Sequence, residues 1–164
     1  MTMRIYVGTY AKYNRDSIQG AWLDLEDYSD KGEFEDACKA LHPDETDPEF
    51  MFQAHEGIPE GMVSESHVDA DVWDLVDLTD YELEMFKAYR SDVNQSGTLE
   101  EAQDAYCGHA DSETDYAHEY VNDAGLLDSM PVELRGYFDF EAYGRDLFMS
   151  GYTMAEGGHV FRDC

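Results

Sequence analysis

The residues with the best spacing for chemistry are Asp92-Val-Asn94-Gln-Ser96-Gly97-Thr98-Leu99-Glu100, which follow the pattern of a calcium-binding loop. Such a loop needs oxygen ligands at its first, third and fifth positions, a turn glycine at the sixth and a bidentate Glu at the twelfth. Asp92, Asn94, Ser96 and Gly97 meet the first four demands, but the twelfth position is Gln103. A neutral amide replaces a bidentate carboxylate poorly, and no second loop is present to pair with this one. The plainer reading is a link between two helices with Thr98 as a cap. Calcium binding by the Asp92–Gln103 loop is an alternative.

Cys107, His109 and His118 are the other metal-type side chains close together in sequence. Their spacing fits no closed zinc pattern, and His118-Glu119 lacks the second His of a metalloprotease helix. There is no glycine-rich phosphate loop, no nucleophile elbow and no paired Cys and His. Any two of 38 acids could meet as a catalytic pair, and that abundance makes such a pair uninformative. The expectation is therefore no catalytic residue, no metal, no cofactor and no enzymatic activity.

What remains is charge. The chain carries 38 Asp and Glu against 10 Lys and Arg, a net charge of −28 over 164 residues. From Ala40 to Glu133 there are 25 carboxylates, and the only cations are Lys87 and Arg90. One-signed charge repels itself and opposes compaction, so it calls for a compensating role. It repels nucleic acid and anionic membranes, and it suits cations or proteins with a basic groove.

The candidate binding acids run through this stretch. They begin with Asp44, Glu45, Asp47, Glu56, Glu60 and Glu65. Asp69, Asp71, Asp74, Asp77 and Asp80 follow, with Asp71, Asp74 and Asp77 at a three-residue period, then Glu82 and Glu84. Glu100, Glu101 and Asp104, then Asp111, Glu113, Asp115 and Glu119, continue the series. A solvated helix face normally carries Lys or Arg four residues away for ion-pair support, and here those partners are missing. Duplex DNA has one charge per roughly 1.7 Å of axis, so 28 net charges correspond to roughly 48 Å, about 14 base pairs.

These acids sit on segments with the apolar periodicity of a folded protein. Hydrophobic residues make up 43% and aromatics 13%, too much for a disordered acidic tail. Strands are expected over 3–10, 18–25 and 49–54, with a loop at 12–17 and a helix at 30–42 capped by Asp30. Val68, Val72, Leu75 and Val76 predict a helical stripe, and Thr79 with Glu82 opens a helix to about Arg90. Thr98 with Glu101 opens another through Leu99, Ala102 and Tyr106. Ser112 with Asp115 starts one that Gly125 ends. A helix is expected over 138–149, then strands at 152–155 and 159–162. The expected class is α+β. It comprises an N-terminal small antiparallel sheet with a helix (1–61), a central helical acidic part (62–103) and a C-terminal mixed part (104–164). Cys38, Cys107 and Cys164 are odd in number and widely spaced, which predicts no disulfide framework and a reducing, cytoplasmic setting.

Arg4-Ile-Tyr-Val-Gly-Thr-Tyr10 and Gly20-Ala-Trp-Leu-Asp-Leu25 resemble the opening of the ArdA antirestriction proteins. Asp47-Pro-Glu-Phe-Met-Phe-Gln53 and Ile58-Pro-Glu60 do so too. Gly136-Tyr-Phe-Asp-Phe-Glu-Ala-Tyr-Gly-Arg-Asp-Leu-Phe148 is similar to that family's C-terminal block, and Leu126 to Asp139 to its short antirestriction motif. The middle, from about His67 to Ala124, matches mainly in acidity. The resemblance implies a bacterial DNA mimic, commonly carried on mobile genetic elements, that occupies the DNA groove of type I restriction-modification enzymes. It also implies three small domains in series and a homodimer joined through the C-terminal domain. Leu126, Leu127, Met130, Pro131, Leu134 and Tyr137 are candidates for that interface. The rivals are a general acidic binder or chaperone of basic DNA-binding proteins, haloadaptation, and an enzyme or calcium protein using the carboxylates.

Overall fold

The computed structural model describes residues 2–163, so Cys164 lies outside the described residues. Its class is α+β, with two small antiparallel sheets and several helices. The chain divides into two compact units, one ending at Leu83 and the other beginning at Glu84.

In the first unit, β1 (Arg4–Thr9) lies between β2 (Ala21–Asp24) and β3 (Phe50–Glu56). Ile5 pairs with Leu23 and His55, and a register shift falls between Tyr6 and Val7 on the β3 side. Alternation buries Ile5 and Val7 and turns Arg4 and Tyr6 outward. Only glycine fits at position 20, because a Cβ there would collide with the carbonyl oxygen of Val7.

Between β1 and β2 a short helix, α1 (Tyr10–Tyr13), takes in Lys12 and Tyr13 of the expected loop, and the rest of 12–17 is turn and coil. Thr9 starts it by accepting a hydrogen bond from the Lys12 amide, and Lys12 itself is buried. After β2 comes α2 (Lys31–Leu41), capped by Asp30 as expected. It drives Phe34 and Cys38 into the core, where Phe34 meets the rings of Tyr28, Phe52 and Trp73 at 5.9, 6.1 and 5.4 Å. Residues beyond Gly61 join the same unit: the Phe52 amide donates to the Glu65 carbonyl at 2.8 Å.

The stripe at 68–76 forms a 3₁₀ helix over Ala70–Leu75, not an α-helix. Burial of Val72 and Leu75, three residues apart, matches the three-residue turn of that helix. Asp69 caps its start by accepting from the Asp71 amide. The unit boundary then falls inside α3 (Asp80–Asp92), which opens at Thr79 and Glu82 as the sequence predicts.

In the second unit α4 (Leu99–Ala105) begins with a full capping box of Thr98 and Glu101. Tyr106 does not continue that helix; it starts β4 (Tyr106–His109), where its ring packs 5.4 Å from Phe161. Gly108, at φ 124, lies within this strand, in a conformation that favours glycine. Helix α5 (Glu113–Ala124) starts at Ser112 and ends at left-handed Gly125. Then come α6 (Val132–Arg135), α7 (Phe140–Met149), β5 (Tyr152–Met154) and β6 (His159–Arg162), and the sheet order is β4-β6-β5. Helices α5 and α7 pack at Gly144, where a Cβ would come 2.7 Å from the Glu113 carbonyl oxygen. Tyr116 joins them to the sheet, with ring centroids 5.6 Å from Phe148 and 5.8 Å from Tyr152. No described helix is long and apolar enough to cross a membrane.

Candidate acidic binding surface

Helix starts position many of the acids. A helix N-terminus presents unpaired amides and a partial positive charge, which favours carboxylates there. Glu33 lies in the first turn of α2, Asp80 and Glu82 in that of α3, Glu100 and Glu101 in that of α4, and Glu113 and Asp115 in that of α5. Local backbone structure thus supplies part of the compensation that paired Lys and Arg would give elsewhere.

Burial of the apolar stripes leaves these side chains outside. Of the candidate acids, Glu45, Asp69 and Glu82 are half-buried and all the others are exposed. Asp71 and Asp74 stand on one edge of the 3₁₀ helix and Asp77 follows beyond its end, all three exposed. In that geometry residues three apart eclipse one another at roughly 6 Å of rise, which lines up Asp71 with Asp74. Asp47, Glu60, Glu65 and Glu84, and then Asp104, Asp111 and Glu119, extend the exposed set.

Several acids also hold the fold. Glu56 accepts from Arg4 Nε at 2.7 Å, and this hydrogen bond lowers its pKa below the ordinary carboxylate value. The Arg4 guanidinium also lies over Trp22, 4.5 Å from the ring centre. Asp44 accepts from Lys12 Nζ at 3.0 Å, which lowers its pKa likewise. Glu45 lies 3.7 Å from the same ammonium and accepts from Thr9 Oγ1 at 2.8 Å. Glu82 and Glu101 reach back to the amides of Thr79 and Thr98.

The Lys12 cluster escapes sequence reading. Lys12, Thr9 and His42 are all buried, and Lys12 Nζ stands 2.8 Å from His42 Nδ1.

The other sequence candidates resolve as follows. Asp92 uses its carboxylate to accept from the Glu156 amide at 2.7 Å, and Asn94 accepts from the Ser96 amide and hydroxyl. Arg90 donates to the Gly97 carbonyl at 3.0 Å. Asn94 and Arg90 thus close the link between the two helices, while Asp92 ties it to the segment at Glu156. No group of three or more His, Cys, Asp or Glu side chains among the described residues could hold a metal ion. His109 and His159 face each other across β4 and β6 with ring centroids 5.7 Å apart. Burial, and then the nearby His109, lower the His159 pKa. Burial pushes the Cys38 thiol up to about 12, so it stays protonated and inert.

Around α6 the side chains are unusually bare. Val132 is 75% exposed, Tyr137 86% and, at the end of α7, Met149 78%. Leu126, Pro131 and Leu134 are also exposed, whereas Leu127 and Met130 are half-buried.

Fold and surface together define an acidic α+β protein whose carboxylates face solvent across long stretches with few cations. The family model for the antirestriction protein (ArdA) matches residues 5–161, and the chain belongs to that family. Membership implies antirestriction function and interaction with restriction enzymes. A comparison with curated proteins finds no match.

Proposed function

We propose that this protein inhibits type I restriction-modification enzymes by imitating B-form DNA and occupying the DNA-binding groove of their methyltransferase core. The reading is carried by the largely exposed acids from Asp44 to Glu119, among them Asp71, Asp74 and Asp77 at every third position in sequence, with Lys87 and Arg90 the only Lys or Arg in that stretch. Phosphates along a DNA strand recur on a comparable few-ångström scale. The inhibitor breaks and makes no bond. It gains counterion release in a groove lined by Lys and Arg, and it avoids the cost of deforming a real duplex. Electrostatic steering speeds its association and makes it salt-dependent.

The same proposal includes three small functional parts, 1–61, 62–103 and 104–164, and a homodimer through the last. The bare apolar side chains around α6 and the end of α7 support that dimer, because exposed apolar patches mark contact surfaces. On this reading the protein works in the bacterial cytoplasm, where such a target would be met, and is carried on mobile genetic elements.

The deciding experiment is competition between purified protein and duplex DNA for a type I methyltransferase at low salt. Displacement of the duplex near stoichiometric inhibitor is expected. An enzyme that keeps its DNA at large inhibitor excess would overturn the proposal. Equal displacement of DNA from unrelated basic proteins would favour a general acidic binder.

A further inference from the structure

The acidic turn after α2 is fastened to the start of the chain through one imidazole. His42 closes α2, its amide donating to the Lys39 carbonyl, and its own carbonyl accepts from the Glu45 amide at 3.2 Å. Its ring is buried, with Nε2 3.3 Å from the Val7 carbonyl of β1 and the ring centre 6.4 Å from that of Phe50 in β3. At the opposite nitrogen, Nδ1 accepts from the buried ammonium of Lys12 at 2.8 Å. That ammonium also donates to Asp44 at 3.0 Å and lies 3.7 Å from Glu45. The charged groups facing the ring are thus Lys12 from α1, and Asp44 and Glu45 from the turn itself. Glu45 is held a second time, by the Thr9 hydroxyl at 2.8 Å.

A proton on Nδ1 ends this arrangement. Imidazolium donates from both nitrogens, so the lone pair that holds Lys12 disappears and two cations meet at hydrogen-bond distance. The cluster as a whole does not repel the proton, because two carboxylates outweigh one ammonium. What opposes it is a single contact. Asp44 is exposed, so Lys12 can follow it outward while the ring keeps its bond to Val7.

We propose that His42 is a pH-sensitive latch, which holds the turn 43–49 against β1 while its imidazole is neutral and releases the turn when Nδ1 takes up a proton. The sheet and α2 stay folded in both states. What changes is the presentation of Asp44, Glu45 and Asp47, so the latch tunes this part of the acidic surface whatever that surface binds. The hold is complete above the range in which imidazoles titrate and is lost as pH falls through it.

The test follows amide hydrogen exchange and the imidazole resonances of the full-length protein by NMR from about pH 8 to about pH 5, the span in which imidazoles titrate. The Glu45 and Tyr10 amides donate to the His42 and Glu49 carbonyls and report on the turn. After correction for intrinsic exchange, their protection is expected to fall roughly tenfold, with the midpoint of the His42 ring. Ile5 and Leu23, paired in the sheet, should keep theirs. His42→Asn offers Lys12 an amide oxygen and takes up no proton, so its turn should stay protected throughout. His55→Gln and His67→Gln remove the other histidines of the first unit and should leave the step in place. Flat protection of the turn while the His42 ring titrates overturns the inference, and so does a ring that stays neutral over the whole span. A step that survives in folded His42→Asn, or vanishes in either of the other two variants, overturns it as well.

Discussion

The ammonium of Lys12 stands 2.8 Å from Nδ1 of His42, and both side chains are buried. Lys12 can only donate, so Nδ1 must offer its lone pair and the imidazole proton must sit on Nε2. Nε2 in turn donates to the Val7 carbonyl at 3.3 Å. A single cation therefore ties the acidic turn at Asp44 and Glu45 to β1 through an imidazole held in one tautomer.

Replacing that cation should cost stability. Lys12→Met leaves His42 Nδ1 and Asp44 without their donor and Glu45 without its ion pair. Removing one member of a buried pair costs several kcal/mol, and the exposure of Asp44 moderates this to about 2–3 kcal/mol. Urea denaturation reads the loss. A change below about 0.5 kcal/mol, the range of a neutral surface substitution, would contradict the network's role.

The pH dependence follows from Asp44 and Glu56. Each has its pKa lowered by a hydrogen bond, from Lys12 and Arg4 respectively. A carboxyl depressed in the folded state stabilises fully above its unfolded pKa, and that contribution is lost as pH falls through the folded value. Carbon-detected NMR titration should find both midpoints below the ordinary carboxylate range. Arg4→Met should return Glu56 to that range and leave Asp44 unmoved. Joint movement would mean that the overall field, not the specific partner, sets the values.

Salt should act oppositely on the free protein and on its complex. Self-repulsion among 38 acids opposes folding, and screening relieves it. The melting temperature of the free protein is expected to rise between about 20 and 300 mM NaCl, where the Debye length falls through about 10 Å. Over the same range binding to a basic target should weaken. Calorimetry that shows a flat or falling melting temperature would mean that helix starts and ion pairs already neutralise the repulsion.

Close packing of α5 and α7 makes Gly144 sensitive. An added Cβ would meet the Glu113 carbonyl oxygen at 2.7 Å, its carbon at 3.0 Å and the Ala117 methyl at 3.3 Å. Backbone atoms yield poorly, so Gly144→Ala should destabilise by about 1–3 kcal/mol, as overpacked cores do. Equilibrium unfolding checks this. A neutral or stabilising result would show that the helices can separate at small cost.

Much of the architecture was legible because it follows local rules. Asp30, Thr98 and Ser112 each accept from the amide three residues on, where their spacing predicts it. Alternation placed β1, β2 and β3, and the glycine pair at 157–158 separated β5 from β6. Less legible was what packing decides. Nothing local tells a 3₁₀ turn from an α turn around Val72, since both bury an apolar stripe. Tyr106 fits the period of α4 as well as its partnership with Phe161. The Lys12 contact with His42 joins residues 30 positions apart, and no short pattern carries that. For the surface, the outward direction of the acids follows from apolar periodicity. The structural duties of Glu56 and Asp44 required seeing their partners.

The carboxylates at the helix starts affect how such a sequence can drift. An acid steadied by backbone amides needs no particular partner side chain, so its loss leaves no buried charge unpaired. Asp, Asn, Ser and Thr interchange at a cap with modest effect. An acid in the first turn is supported by whichever amides it finds there. Generations of substitution can therefore reshuffle which positions are acidic while the polyanion persists. On the proposed DNA-mimic reading, a host enzyme that altered one contact would still meet most of the charge, and it could not exclude the inhibitor without also giving up its hold on DNA.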